Sequence, residues 1–230
     1  MNADTSGFRE RWKWLVRAFF GVLLIAALLF IPAGRLDWVW GWVYIGVYSL
    51  ASVVAMFVAD PELLPERGRP KKDAKSWDKV LFGIYGTLTG FVTPVVAALD
   101  VRLGWSRQIP LALQVGALVV CGLGWAVHLW AMASNKFFSN YVRIQKERGH
   151  VAVTDGPYRI VRHPGYVGGL AINLATPLVL GSLWAFILGG IGALLLIVRT
   201  ALEDKTLQAE LAGYKEYAQQ VRYRLLPGIW

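Results

Sequence analysis

Lys, Arg, Asp and Glu are absent from five long runs of the chain: Ala18–Gly34, Trp38–Ala59, Val80–Leu99, Ile109–Ala133 and Gly165–Val198. About 20 apolar residues in helical form cross the roughly 30 Å of hydrocarbon in a bilayer. The first four runs therefore predict one crossing each. The fifth has 34 residues, which as a helix would measure about 51 Å. That is too long for one ordinary crossing and slightly short for two. Pro177 and Gly181-Ser182 offer a break near its middle, so the run predicts a tight hairpin of two short helices. Beyond Arg199, apolar positions recur at Leu207, Leu211, Tyr214 and Val221. They lie on one face of a helix, interrupted near Gly213, that would run along the membrane interface. The expected fold is all-α and integral to the membrane. It is a bundle of about six spans, the last two a short helical hairpin, with a cytoplasmic interfacial C-terminal helix.

Composition agrees with that pattern. Hydrophobic residues make up 56% of the 230, charged ones only 17%, and the mean hydropathy is +0.45. Soluble domains and disordered chains do not combine these values. Cys121 is the single cysteine, which excludes a disulfide framework and a thiolate zinc site, and no metal site is expected. The polar stretch Met1–Gly7 contains Asp4 and lacks the basic start and cleavage site of a signal peptide, so the first run is read as a retained span.

The net charge of +9 invites a nucleic-acid reading, but its distribution argues for membrane orientation. Arg9, Arg11, Lys13 and Arg17 precede the first span, and Arg67, Arg69, Lys71, Lys72, Lys75 and Lys79 lie between the second and third. Lys136, Arg143, Lys146, Arg148, Arg159 and Arg162 follow the fourth, and Arg199, Lys205, Lys215, Arg222 and Arg224 end the chain. The opposite side holds only Arg35, Arg102 and Arg107. The positive-inside rule then places both termini in the cytoplasm. The run Arg67–Lys79 reads as a solvated loop near anionic lipid heads. Trp38, Trp40, Trp42, Trp77 and Trp105 sit near span ends, where indoles anchor at interfaces.

Two basic-side segments carry the chemistry. One runs from His150 to Gly168, with a turn at Asp155-Gly156-Pro157 and His163-Pro164 at the mouth of the hairpin. The other is Arg199-Thr200-Ala201-Leu202-Glu203-Asp204. Arg199 and Glu203 are four apart and share a helix face. An ordinary ion pair at the membrane edge would explain them. Ionisable groups at membrane depth favour a functional reading, in which Arg199 receives an anionic substrate group and Glu203 accepts hydrogen bonds from a polar cofactor. His128 and Asn173 read as polar contacts between helices, and Cys121 as packing. Gly122-Leu123-Gly124 follows no strand and is no dinucleotide fingerprint.

The order His150…Gly156-Pro157-Tyr158…Arg162-His163-Pro164-Gly165-Tyr166-Val167-Gly168, then Arg199…Glu203-Asp204, then Gly213-Tyr214-Lys215-Glu216-Tyr217…Val221…Pro227 resembles the isoprenylcysteine carboxyl methyltransferase family. Related phospholipid methyltransferases share much of it. The resemblance covers roughly residues 135–230 and implies methyl transfer from S-adenosylmethionine by a helical membrane bundle whose active site lies at the cytosolic face. It implies cofactor contacts at His150, Val151, Ala152, Val153 and Tyr158, and an enclosing turn at His163, Pro164, Gly165 and Tyr166. Glu203 resembles the cofactor-binding glutamate and Arg199 the arginine that orients the acceptor; these two are the expected catalytic residues. Asp204 stands where the family commonly has a second Glu.

On this reading residues 1–230 form one membrane domain, with spans in 1–108 on the acceptor side and the methyltransferase-like region in 109–230. The expected partners are a lipophilic or lipidated small-molecule substrate and membrane lipids, with no nucleic acid. The acceptor could be a prenylcysteine carboxylate, a phospholipid amine or a small lipophilic thiol or acid. Membrane sterol-type reductases resemble the same Arg-His-Pro-x-Tyr-x-Gly region and use NADPH. They tend to carry a Cys and a Trp around Gly213 that this chain lacks. A non-enzymatic carrier or adaptor is the remaining alternative.

Overall fold

A computed structural model describes residues 3–60, 62–63 and 73–230. Arg67, Arg69, Lys71 and Lys72, part of the expected basic loop, lie outside the described residues. Among the described residues the elements are helical throughout: α1 (Ala3–Ala33), α2 (Val39–Val58), α3 (Ser76–Thr87), α4 (Thr93–Leu103), α5 (Leu111–Ala133), α6 (Pro164–Val179), α7 (Leu183–Glu210) and α8 (Tyr214–Gln220). In hydrocarbon every backbone N–H and C=O needs a partner within the protein, which helices supply from their own turns.

Among the described residues, five helical segments are long and apolar enough to cross a membrane: Arg11–Ala33, Val39–Val58, Ser76–Leu103, Leu111–Ala133 and Leu183–Glu210. The third joins α3 to α4 through a π-helical turn at Leu88–Val92. Hydroxyl groups supplement the backbone there: Thr89 Oγ1 donates to the Tyr85 carbonyl at 2.8 Å and Thr93 Oγ1 to that of Leu88 at 2.9 Å.

The first leg of the expected hairpin is α6, only 16 residues long, so the hairpin exists but its legs are unequal. Its second leg, α7, has 28 residues and runs past Arg199 to Glu210. Of the two expected break points only Gly181-Ser182 is used, and Pro177 sits inside α6. Gly181 takes a left-handed φ of +82° that a side chain would resist. Ser182 then caps α7 by accepting from Ala185 N–H at 3.0 Å. The same Ser182 Oγ and both donors of Ser106 converge on the buried Asp100 carboxylate at 2.5–2.6 Å. That knot fastens α4 to the hairpin turn at the end remote from the site.

At the crossing of α5 and α6 two glycines face each other. A Cβ on Gly168 would collide with the Gly124 carbonyl, and one on Gly124 would lie 2.9 Å from the Gly168 carbonyl. Small residues let membrane helices approach this closely. Polar contacts between helices fall where the sequence suggested. His128 Nδ1 lies 3.1 Å from the Gly165 carbonyl oxygen, and Asn173 Nδ2 donates to Tyr85 Oη at 3.0 Å. Cys121 is buried. Trp38 corrects an expectation: it is buried with Phe30, Leu29 and Ile45, and Trp42, half exposed, keeps the edge position. Span-end indoles serve a core as readily as an interface when a neighbouring helix covers them.

Candidate functional site

The segment between α5 and α6 contains no long helix and owes its shape to side chains that satisfy its backbone. Gln145, 1% exposed, donates through Nε2 to the Phe137 carbonyl at 2.8 Å and accepts from Arg148 Nη1 at 2.6 Å. His150 Nδ1 accepts from Gln145 N–H at 3.3 Å, and its ring packs 4.5 Å from that of Phe137. Asn135 Nδ2 reaches Tyr158 Oη at 3.1 Å, while Tyr217 Oη on α8 donates to the Tyr158 carbonyl at 2.7 Å. The loop is thereby folded over the beginning of α6 and the end of α7.

Asp204, 1% exposed, is the hub below it. Arg162 donates through Nε and Nη2 to its two oxygens at 2.7 and 3.1 Å, and Arg224 Nε donates at 2.9 Å. Gln208 Nε2 and Tyr214 Oη add bonds at 2.7 and 3.2 Å, and His163 Nε2 lies 3.3 Å away. Arg162 spends Nη1 on the Val221 and Arg222 carbonyls, both at 2.8 Å. The backbones of Arg162 and His163 donate to the carbonyls of Tyr223 and Arg224 at 2.9 and 3.0 Å. One carboxylate with charged and neutral donors on both oxygens thus joins the start of α6, the end of α7, α8 and the C-terminal segment. The conservative departure at Asp204 is central to the architecture.

These elements line an open-mouthed cavity whose empty space, mouth included, is about 790 Å³. Nine of the sequence-predicted site residues line it: His150, Val151, Ala152, Val153, Tyr158, His163, Gly165, Tyr166 and Glu203. Pro164 is buried at the first turn of α6 and does not face the cavity; it fixes the backbone that presents Gly165 and Tyr166. Tyr166 Oη donates a short hydrogen bond to Glu203 Oε2, and its ring stacks 5.7 Å from that of His163 at 11°. The expected C-terminal amphipathic face is broken after Glu210, but its members stay together. Leu211, Tyr214 and Tyr217, with Leu207 and Val221, pack on Ala131 and Tyr158 as one wall of the site.

On the loop side the cavity meets the Arg143 guanidinium, paired with Asp73 and Glu147, and an uncharged imidazole. Burial, reinforced by Arg143 and Arg148, pulls the His150 imidazole down to about 4, so it is uncharged at neutral pH. Burial pushes the Tyr158 and Tyr214 phenols up, and they keep their protons. Glu203 contributes a carboxylate to the lining.

Arg199 is brought near but not into the cavity, and it does not pair with Glu203 as the simpler reading of their spacing expected. It is 4% exposed. Its Nε and Nη2 meet the two oxygens of Asp78 at 2.7 and 3.1 Å, and Nη2 also donates to the Asn140 carbonyl at 2.6 Å. The guanidinium carbon sits 4.7 Å from the Phe82 ring centroid and 5.5 Å from that of Tyr166. Asp78, Gln145 and the hub role of Asp204 were missed by sequence reasoning. Asp78 shows itself there only as an acidic residue amid Lys75, Lys79 and the basic loop.

Fold and site together define a membrane-embedded helical protein with an open-mouthed cavity of mixed polar and apolar lining at its basic end. Residues 116–209 match the model of the isoprenylcysteine carboxyl methyltransferase (ICMT) family, so the resemblance read from the motifs holds over that stretch. Protein-S-isoprenylcysteine O-methyltransferase of Schizosaccharomyces pombe is 39% identical over 70 residues, which is 30% of this chain and 30% of the yeast protein. The match therefore spans under a third of that curated relative's length. The solved eukaryotic intramembrane Ras methyltransferase ICMT superposes over 100% of this chain and 88% of its own, with a TM-score of 0.53 and 18% identity. At that identity the likeness is one of fold.

Proposed function

We propose that this protein is an integral membrane methyltransferase that moves a methyl group from S-adenosylmethionine to a lipophilic acceptor of the prenylcysteine-carboxylate kind, at the cytosolic face. The observation that carries the reading is the convergence of the loop His150–Val153, of His163, Gly165 and Tyr166, and of Glu203 on one cavity. The lining suits the donor. A carboxylate at Glu203 complements a positively charged sulfonium or ammonium, a neutral His150 does not repel it, and Val151, Ala152 and Val153 offer an apolar edge to an adenine face. When bound, the donor supplies an electrophilic methyl on a sulfonium, with a neutral leaving group.

The chain's own residues then bind, align and exclude water, which is the proximity contribution to catalysis. Tyr166 holds the Glu203 carboxylate in place. The aromatic wall of Tyr158, Tyr214 and Tyr217 excludes solvent. Arg199 supplies positive charge beside the acceptor. A carboxylate acceptor is already ionised at neutral pH, so the reaction needs no strong base. We assign the donor side to residues 109–230 and the acceptor side mainly to spans in 1–108, within one membrane domain.

Calorimetric titration of the detergent-purified protein tests this. S-adenosylmethionine and its demethylated product should bind saturably, less tightly to Glu203→Ala, and NADPH should not. Labelled methyl should then pass to N-acetyl-S-farnesylcysteine. Binding of NADPH alone would move the protein to the reductases.

A further inference from the structure

We infer that Asp78 is a positioning residue for the acceptor half of the reaction, contributed by α3 from outside the stretch that matches the family. The inference rests on the methyltransferase reading above. Asp78 is 0% exposed and lies in the first turn of α3. Its Oδ1 accepts from Arg199 Nε at 2.7 Å, and its Oδ2 from Arg199 Nη2 at 3.1 Å and from the Val142 N–H at 2.7 Å. One residue therefore grips both the guanidinium on α7 and the loop that forms the cavity wall. Lys75 N–H strengthens the grip by donating to the Val142 carbonyl at 3.1 Å.

The geometry determines the guanidinium completely. Phe82 and Tyr166 flank it at 4.7 and 5.5 Å, which limits tilting of its plane. Within that plane, the two-pronged contact with Asp78 sets the rotation. The Nε–Nη2 edge is engaged by Asp78 and Asn140, and Nη1 is the part of the fork outside these bonds. An acceptor carboxylate would meet a donor whose direction is fixed in advance, in contact with the ring of Tyr166, whose hydroxyl holds Glu203. A lone stabilising ion pair would need neither the bond to the wall loop nor the aromatic pair on the guanidinium.

The test compares Asp78→Asn, Asp78→Glu, Arg199→Lys and the double variant Asp78→Asn/Arg199→Lys, using S-adenosylmethionine and N-acetyl-S-farnesylcysteine. A carboxamide keeps the shape but turns an N–H toward a donor, so the guanidinium loses its register. Misplacement of a positioned group lowers acceptor kcat/KM on the order of a hundredfold, while the donor Kd from calorimetry stays within about threefold because the carboxamide oxygen still accepts from the Val142 N–H that holds the wall loop. Asp78→Glu, which keeps the charge, should recover part of the loss. If Asp78 acts through Arg199, the double variant is little worse than Arg199→Lys alone, because coupled groups are not additive. Multiplicative losses, or a donor Kd that rises as turnover falls, would overturn the inference and leave Asp78 a folding residue. Unchanged acceptor kcat/KM in a folded Asp78→Asn protein would also overturn it while the methyltransferase reading stands. A wild type that binds no donor or methylates no acceptor removes that reading, and this inference with it.

Discussion

Tyr166 on α6 donates its hydroxyl to the carboxylate of Glu203 on α7, and both side chains line the cavity at whose edge Arg199 is clamped by Asp78. The relationship divides the labour of two residues that share a helix face. Glu203 is turned toward the cavity, and Arg199 toward α3. Glu203→Gln should therefore weaken S-adenosylmethionine binding by tenfold to about a hundredfold, as loss of a hydrogen bond to a charged group does. Arg199→Ala should leave donor affinity nearly unchanged and lower turnover of the acceptor. Calorimetry with both variants checks the division; equal losses of donor affinity would abolish it.

Much of this was legible in the sequence, for identifiable reasons. Lipid imposes composition, so the charge-free runs mark the spans, and His150–Gly168 carries a local motif whose residues meet within one loop and one helix turn. What escaped is long-range or context-dependent. Asp78 and Arg199 are 121 residues apart, and periodicity along either segment reports nothing of their meeting. Helix α7 runs on through Glu203, Asp204 and Lys205, although the apolar run ends at Val198, because those charges find partners or solvent beyond the hydrocarbon. The spacing of Arg199 and Glu203 suggested an internal ion pair. Neighbouring helices offered each a better partner, and tertiary contact overrode the local one.

Asp204 should be the site's most costly carboxylate to remove. Asp204→Ala leaves Arg162 buried beside His163 without the anion that faces both. Stripping one partner from a buried ion pair costs about 3–5 kcal/mol, a fall of at least about 6 °C in melting temperature for a chain of this size. Thermal unfolding in detergent measures it. Arg159→Ala, whose partner Asp155 is as exposed as Arg159 itself, should shift the midpoint by less than about 2 °C; a similar fall in both variants would contradict the hub assignment.

The α5–α6 crossing predicts a sharp positional contrast. Gly168→Ala drives a methyl into the Gly124 carbonyl and to 2.8 Å from His128 N, whereas a Cβ on Gly122, two residues from Gly124, meets nothing within 4 Å. Overpacking of this kind costs about 1–3 kcal/mol, and because Gly168 lies one turn beyond Gly165 and Tyr166, separation of the helices should also weaken donor binding. Gly122→Ala should do neither. Melting curves and donor titration of the two variants, run side by side, decide whether the close approach sets the geometry of the site.

His150 makes stability fall on the acid side of neutrality. In the unfolded chain its imidazole takes up a proton near pH 6.5, whereas in the folded protein burial and the flanking arginines hold it neutral down to about 4. Between those values the unfolded state binds more protons, so stability declines as pH falls through the window. The contribution of this residue is unchanged above about 6.5, decreases steadily below it, and levels off once both states are protonated. A His150→Gln variant removes the proton uptake. Its melting temperature plotted against pH should run parallel to the wild type above pH 6.5 and decline less steeply from there to pH 4. Parallel curves throughout would mean that the imidazole is protonated equally in both states, and that packing in the loop wall does not hold it neutral.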